Sequence, residues 1–134
     1  MNIRAEQASD TTEIDALTQA AFLNAPHTSH TEHLIVVALR AANALTVSLV
    51  ATEAGRIVGH VAVSPVSISS GAAHWYGLGP VSVLPEMQGL GIGSRLITAA
   101  LAQLQTLSAH GCVVLGEPEY YQRFGFKAEP SLVL

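Results

Sequence analysis

The stretch from Val83 to Ser94 (VLPEMQGLGIGS) sets three glycines at alternate positions, Gly89, Gly91 and Gly93, between a short apolar run and a long amphipathic segment. Glycine loses more conformational freedom on folding than any other residue, so three of them beside a helix start need a compensating use. The first amides of a helix have no intrahelical acceptor. They point, with the positive end of the helix dipole, at whatever lies beyond the N-terminus. Glycines at that place remove the side chains that would hold an anion off and expose a nest of N–H groups. A tight turn at positive φ accounts for one glycine; three favour an anion site of pyrophosphate size.

Two common phosphate-binding patterns do not fit. A P-loop needs Lys-Ser/Thr after its last glycine, where this chain has Ser94-Arg95. A dinucleotide fold needs G-x-G-x-x-G and an acid about 20 residues on; the third glycine is missing and Ala109–Val113 carries no Asp or Glu.

The chain has 134 residues, so one domain over 1–134 is expected. Its hydrophobic share of 49% suffices for a substantial core, and its net charge of −4 offers no basic footprint for nucleic acid. Cys112 is the one cysteine, which excludes an internal disulfide and a cysteine metal cluster. The N-terminal MNIRAEQASD lacks the apolar run of a signal peptide, and Leu34–Ala51 is broken by Arg40 and Asn43. A soluble cytoplasmic protein without a membrane or nucleic-acid partner is expected.

Periodicity predicts the order β-α-α-β-β-β-α-β-α, a mixed α/β (α+β) domain with a largely antiparallel sheet. Residues 2–6 read as a strand. Asp10 and Glu13 form a capping-box pattern before a helix over 11–23 with Ile14, Leu17 and Ala21 on one face, ended by Pro26. Ser29 and Glu32 repeat that pattern before a helix over 30–42 striped by Leu34, Val37, Ala38 and Ala41. Strands follow over 45–52 and 57–68, joined by the turn Ala54-Gly55-Arg56, with a loop at 69–72. In the strand over 75–83, Gly77, Gly79 and Pro80 predict a bulge or a place where pairing stops. The clearest helix covers 94–110, with Leu96, Ala100, Leu104 and Leu107 inward and Gly111 as its stop. Residues 112–115 read as a central strand, and 119–124 as one or two helical turns closed by Gly125.

Three motifs in this order resemble the GNAT acetyltransferase superfamily. Gln88-Gly89-Leu90-Gly91-Ile92-Gly93 matches its Q/R-x-x-G-x-G/A signature, and Val81-Ser82-Val83-Leu84-Pro85 resembles the end of its fourth strand. Tyr121-Gln122-Arg123-Phe124-Gly125-Phe126 resembles its Y-x-x-x-G-F motif. The segment GHVAVSPV is similar to the third strand of a bacterial subgroup of N-acetyltransferases, and resemblance runs from Ile3 to Phe126. It implies acetyl-CoA as cosubstrate, with the pyrophosphate held by Gln88 through Ser94, that is Gln88, Gly89, Leu90, Gly91, Ile92, Gly93 and Ser94. It implies pantetheine paired to Val81, Ser82 and Val83, where the fourth strand splays from the fifth. The resemblance further implies that an amine attacks the thioester, that a backbone N–H near Val81 faces the developing oxyanion, and that Tyr121 protonates the thiolate, with Tyr120 as fallback.

The general base stays open. The family's frequent fourth-strand glutamate is missing, which leaves Glu117, Glu119, His60, His74 or water. His27, His30 and His33 are spaced by three but read better as a solvated helix start than as a metal site, so no metal is expected. Cys112 reads as a small buried strand residue. The chain stops soon after Phe126, so the family's C-terminal strands are expected to be shortened, and an uncovered strand edge predicts a homodimer. The acceptor side is expected at Asn24–His33. Alternatives to the enzyme are a catalytically inactive acyl-CoA-binding sensor or scaffold, and a module preferring ATP or NAD.

Overall fold

A computed structural model describes residues 1–24, 30–67, 71, 73–114 and 121–126. Among them, five strands form one sheet in the order β1-β2-β3-β4-β5: β1 (Asn2–Ala5), β2 (Val47–Glu53), β3 (Arg56–Pro65), β4 (Trp75–Val83) and β5 (Gly111–Val114). The first three pairings are antiparallel and β4–β5 is parallel. The helices are α1 (Thr11–Phe22), α2 (Glu32–Ala41) and α3 (Ile92–Thr106).

The β2–β3 hairpin forms where the sequence predicts it. Ala54 and Gly55 both take positive φ, 52° and 78°, which matches the twist of antiparallel strands joined by a two-residue turn. β3 is buried from Ile57 to Val63, because α-helices cover both of its faces. A Cβ on Gly59 would lie 2.9 Å from Ile92 and from Leu96, so this face of β3 touches α3. The alternate residues, His60 among them, face the opposite layer, where α1 packs on β3 and β4. Leu96, Ile97, Ala100 and Leu104 bury α3, and each of the leucine and isoleucine side chains contributes about 1.5–3 kcal/mol of burial.

Several local expectations are corrected. The Asp10–Glu13 pattern does not cap α1. Asp10 closes a 3-10 turn by accepting from the Gln7 N–H at 2.7 Å, and it pairs with Arg4 at 2.7 and 3.2 Å. The Arg4 guanidinium and the Gln7 amide together engage both carboxylate oxygens, and neither oxygen caps the α1 amides. Glu13 reaches across to accept the Ile57 N–H at 2.8 Å. Ser29 and Pro26 lie outside the described residues; Thr31 stands at the N-cap of α2 without a side-chain cap bond.

On α2 the expected stripe points outward: Leu34 is 54% exposed and Val37 46%, while Val36 is buried at 2%. The helix is apolar on more than one side, so periodicity does not select the inner face. Arg40 does, through hydrogen bonds to Glu6 of 3.0 and 2.8 Å.

α3 starts two residues before Ser94, because Ile92 buries against the Gly59 gap. It ends at Thr106, not His110, with Ser108 at φ 59° taking the left-handed position expected of Gly111. Gly111 instead opens β5, which lies at the end of the described sheet rather than at its centre. Its hydrogen serves a close approach: a Cβ there would sit 2.5 Å from the Trp75 ring. Leu107 is exposed, beyond the last buried turn.

Gly111→Ala therefore pushes a methyl into the indole that locks β4 to β5. A stability loss of about 1–3 kcal/mol is expected from the urea midpoint; an unchanged midpoint would contradict the packing described.

Candidate active site

The β4 strand changes partners along its length. On one side it pairs with β3 through Val81↔Val61, Ser82↔His60 and Val83↔Gly59. Between Val61 and Val63 the register shifts, so Gly79 and Pro80 together oppose Ala62. This is the interruption that the glycine and proline forecast; Gly79 has φ 134° and the Gly79–Pro80 peptide is cis. On the other side, among the described residues, β4 pairs with β5 from Trp75 to Leu78. From Gly79 to Val83 that edge meets no strand among the described residues. Extended backbone with an open edge can take an extended ligand as a further strand.

The chain leaves β4 through a hydrogen bond from the Leu84 N–H to the Val58 carbonyl (3.0 Å) and a 3-10 turn at Pro85–Met87. Gly89 (φ 80°) and Gly91 (φ 85°) then turn it into α3, with Gly91 at the N-cap. A Cβ on either glycine would meet nothing within 4 Å, so the loop presents bare backbone to open space. Gly93 lies inside the first helical turn, so two of the three glycines meet a positive-φ demand and the third does not. Leu90, between them, is 67% exposed. The Gln88 side-chain amide donates to the Val83 carbonyl at 3.1 Å, which brings the loop and the open end of β4 together. The N–H groups of Ile92 and Gly93 belong to the helix's first turn and have no acceptor within it.

Tyr121 lies in a turn ended by Gly125 (φ 94°), packs on the core, and sets its ring 5.9 Å from Phe126 and 6.4 Å from Phe124. Tyr120, Glu117, Glu119 and His27 lie outside the described residues. The other base candidates are not gathered together. His74 is exposed at the start of β4, edge-on to His110 at 5.2 Å. His60 is fully buried, its Nε2 2.8 Å from Ser48 Oγ, which donates to Glu6 at 2.6 Å. The single serine hydrogen goes to Glu6, so His60 donates through Nε2–H and keeps a lone pair on Nδ1. His30 Nε2 lies 3.1 Å from the Leu23 carbonyl. Among the described residues no three metal-ligating side chains converge, and no helix is long and apolar enough to cross a membrane. Burial pushes the Cys112 thiol up to about 11, so it stays protonated at neutral pH.

Residues 44–128 match the profile of an acetyltransferase (GNAT) domain. The chain is 36% identical over 128 residues to the uncharacterised N-acetyltransferase YhbS of Escherichia coli K12, covering 95% of this chain and 74% of that protein. The chain belongs to the GNAT acetyltransferase family.

Solved GNAT structures agree. A family acetyltransferase from Brucella melitensis in complex with acetyl-CoA superposes with a TM-score of 0.92 at 55% identity, over 95% of this chain and 82% of that one. E. coli YhbS in complex with CoA gives 0.85 at 35%, over 94% and 68%. With the GNAT frame in place, one residue that the motif reading passed over stands out. Arg95 is an exposed cation in the first turn of α3, where the helix dipole disfavours positive charge. That mismatch was a readable signal, since a cation there suits an anion bound beside it.

The partly buried polar chain under the GNAT sheet, which ends on the buried His60, makes stability depend on acidity. Burial lowers His60 from its ordinary 6.5 to about 4. As pH falls from 6.5 toward 4 the unfolded chain takes up a proton that the native chain refuses, so stability is full above 6.5 and drops across this window. The loss is on the order of 3 kcal/mol. Burial alone would raise Glu6, but hydrogen bonds from Arg40 and Ser48 hold it below its ordinary value, and the Arg4 pair together with the Gln7 amide lowers Asp10. Those carboxylates add a further loss below their ordinary range. Thermal melts should fall between pH 6.5 and 4 and flatten there in His60→Gln; an unchanged slope in the variant would assign the acid limb elsewhere.

Proposed function

We propose that this chain is an acetyl-CoA-dependent N-acetyltransferase that moves an acetyl group to an amine of a small molecule or protein, by direct attack in a ternary complex. The observation that carries the reading is the open β4 edge ending beside a bare-backbone glycine loop, in a chain whose GNAT relatives have been crystallised with acetyl-CoA and CoA. The coenzyme supplies an activated acetyl thioester. The amides from Gln88 to Ser94 hold its pyrophosphate at the helix N-terminus, with Arg95 adding a cation. The open edge at Val81, Ser82 and Val83 takes the pantetheine arm. A backbone N–H near Val81 stabilises the oxyanion as the amine adds, and the Tyr121 phenol protonates the departing thiolate. Cytoplasmic location fits a chain whose one cysteine is a free, half-buried thiol, and a homodimer joined through the outer edge of β5 belongs to the same reading.

A second reading has a specific basis. β4, Trp75–Val83, carries no carboxylate, so the chain could bind acyl-CoA without turnover, as a sensor or scaffold. Thiol release from acetyl-CoA across an amine panel separates the two: turnover supports the enzyme, and tight coenzyme binding with no release on any amine supports the module.

Gly91→Val both forces a branched side chain into φ 85° and fills the cradle. CoA affinity should fall by roughly tenfold or more, about 1.4 kcal/mol, in calorimetry on protein whose Tm shows it folded. Unchanged affinity would remove the assignment. Tyr121→Phe should lower turnover by about 100-fold while CoA affinity stays within about twofold; equal turnover would dismiss the acid role.

A further inference from the structure

His60 and Ser82 stand directly opposite each other on β3 and β4, so their Cβ atoms are about 4.5–5.5 Å apart on one face of the sheet. That face is the one covered by α1, since the neighbouring Gly59 faces α3. Both residues are fully buried. His60 Nδ1 and Ser82 Oγ have no hydrogen-bond partner among the described residues. Native proteins rarely leave such atoms unmet, and an internal water is the common solution. The chemistry fits one water. The Nε2–H bond to Ser48, itself tied to Glu6, fixes Nδ1 as an acceptor, and the Ser82 hydroxyl can donate. A water that accepts from Ser82 and donates to Nδ1 satisfies both.

We propose that His60 and Ser82 share an internal water and act as positioning residues, holding Val81–Val83 in register for the acyl thioester. This rests on the coenzyme reading given above. The physical need is plain. The segment pairs with β3 only between the Gly79–Pro80 bulge and the turn after Val83, and its other edge has no strand among the described residues. A one-residue slip would turn every side chain to the other face and re-aim the backbone N–H groups. The water ties the middle residue of the segment, through His60 and Ser48, to Glu6, which Arg40 holds from α2.

The test uses the whole chain and calorimetry with two probes, acetyl-CoA and CoA, and needs no acceptor. The wild type should bind acetyl-CoA more tightly than CoA. Glutamine at position 60 keeps a donor toward Ser48 and loses the Nδ1 acceptor; asparagine keeps an acceptor near Nδ1 and loses the Ser48 link. Ser82→Ala and His60→Gln should each weaken acetyl-CoA by about tenfold, weaken CoA by a smaller factor because CoA shares only the pantetheine contacts of Val81–Val83, and lose no more in combination, because they share one water. His60→Asn should stay within about threefold of wild type for acetyl-CoA although its Tm falls below that of His60→Gln. A purely structural role predicts the reverse, with affinity following Tm. Equal affinity of wild type for the two probes, additive losses, or a weaker acetyl-CoA complex for His60→Asn than for His60→Gln would each overturn the proposal. No heat from either probe with wild type would overturn the coenzyme reading itself and remove the ground on which this one stands.

Discussion

The arrangement depends on one strand that is paired twice at its start and once at its end. β4 lies between β3 and β5 through Leu78, then continues to Val83 with β3 alone beside it among the described residues. The Gly79–Pro80 bulge marks the change, and proline's missing N–H makes loss of a ladder bond there inexpensive. Backbone donors and acceptors on the free edge are the strongest recognition groups a sheet can offer an extended ligand. The glycine loop follows immediately, so strand edge and helix N-terminus meet at one corner.

That corner is held by small residues. Gly59 lets Ile92 and Leu96 press onto β3, which fixes where α3 begins and hence where its first amides point. Gly89 and Gly91 carry the positive φ angles that turn the chain into the helix. Gln88 folds back on Val83. On the other side of the sheet the polar series Arg40, Glu6, Ser48 and His60 crosses from α2 through the residue that follows β1 and through β2 to β3. An unpaired member of such a series would cost more than the series contributes, so each group fixes its neighbour's orientation.

Much of this was legible in the residues. The order of elements through β5, the bulge on β4, the glycine loop and the GNAT resemblance all follow from motif spacing and punctuation by Gly and Pro. The misreadings share a cause, which is that local patterns do not know their tertiary partners. Asp10 and Glu13 look like a capping box until Arg4 and the Ile57 amide claim them. The stripe on α2 is regular, yet the Arg40–Glu6 pair rotates it outward. Gly111 looks like a helix stop, but Trp75 requires it 36 positions away in the chain. Cross-strand neighbours such as Ser48 and His60 have no local signature, because register is set by the whole sheet.

The Trp75–Gly111 contact has an optical consequence. Trp75 is the chain's one tryptophan, and its ring lies against the first residue of β5 at the end where β4 and β5 are zipped. Its emission therefore reports the separation of these two strands without an added label. Anything that spreads the fork farther along β4 changes the leverage on that contact, so the indole reads out the opening of the sheet from the closed end of its hinge.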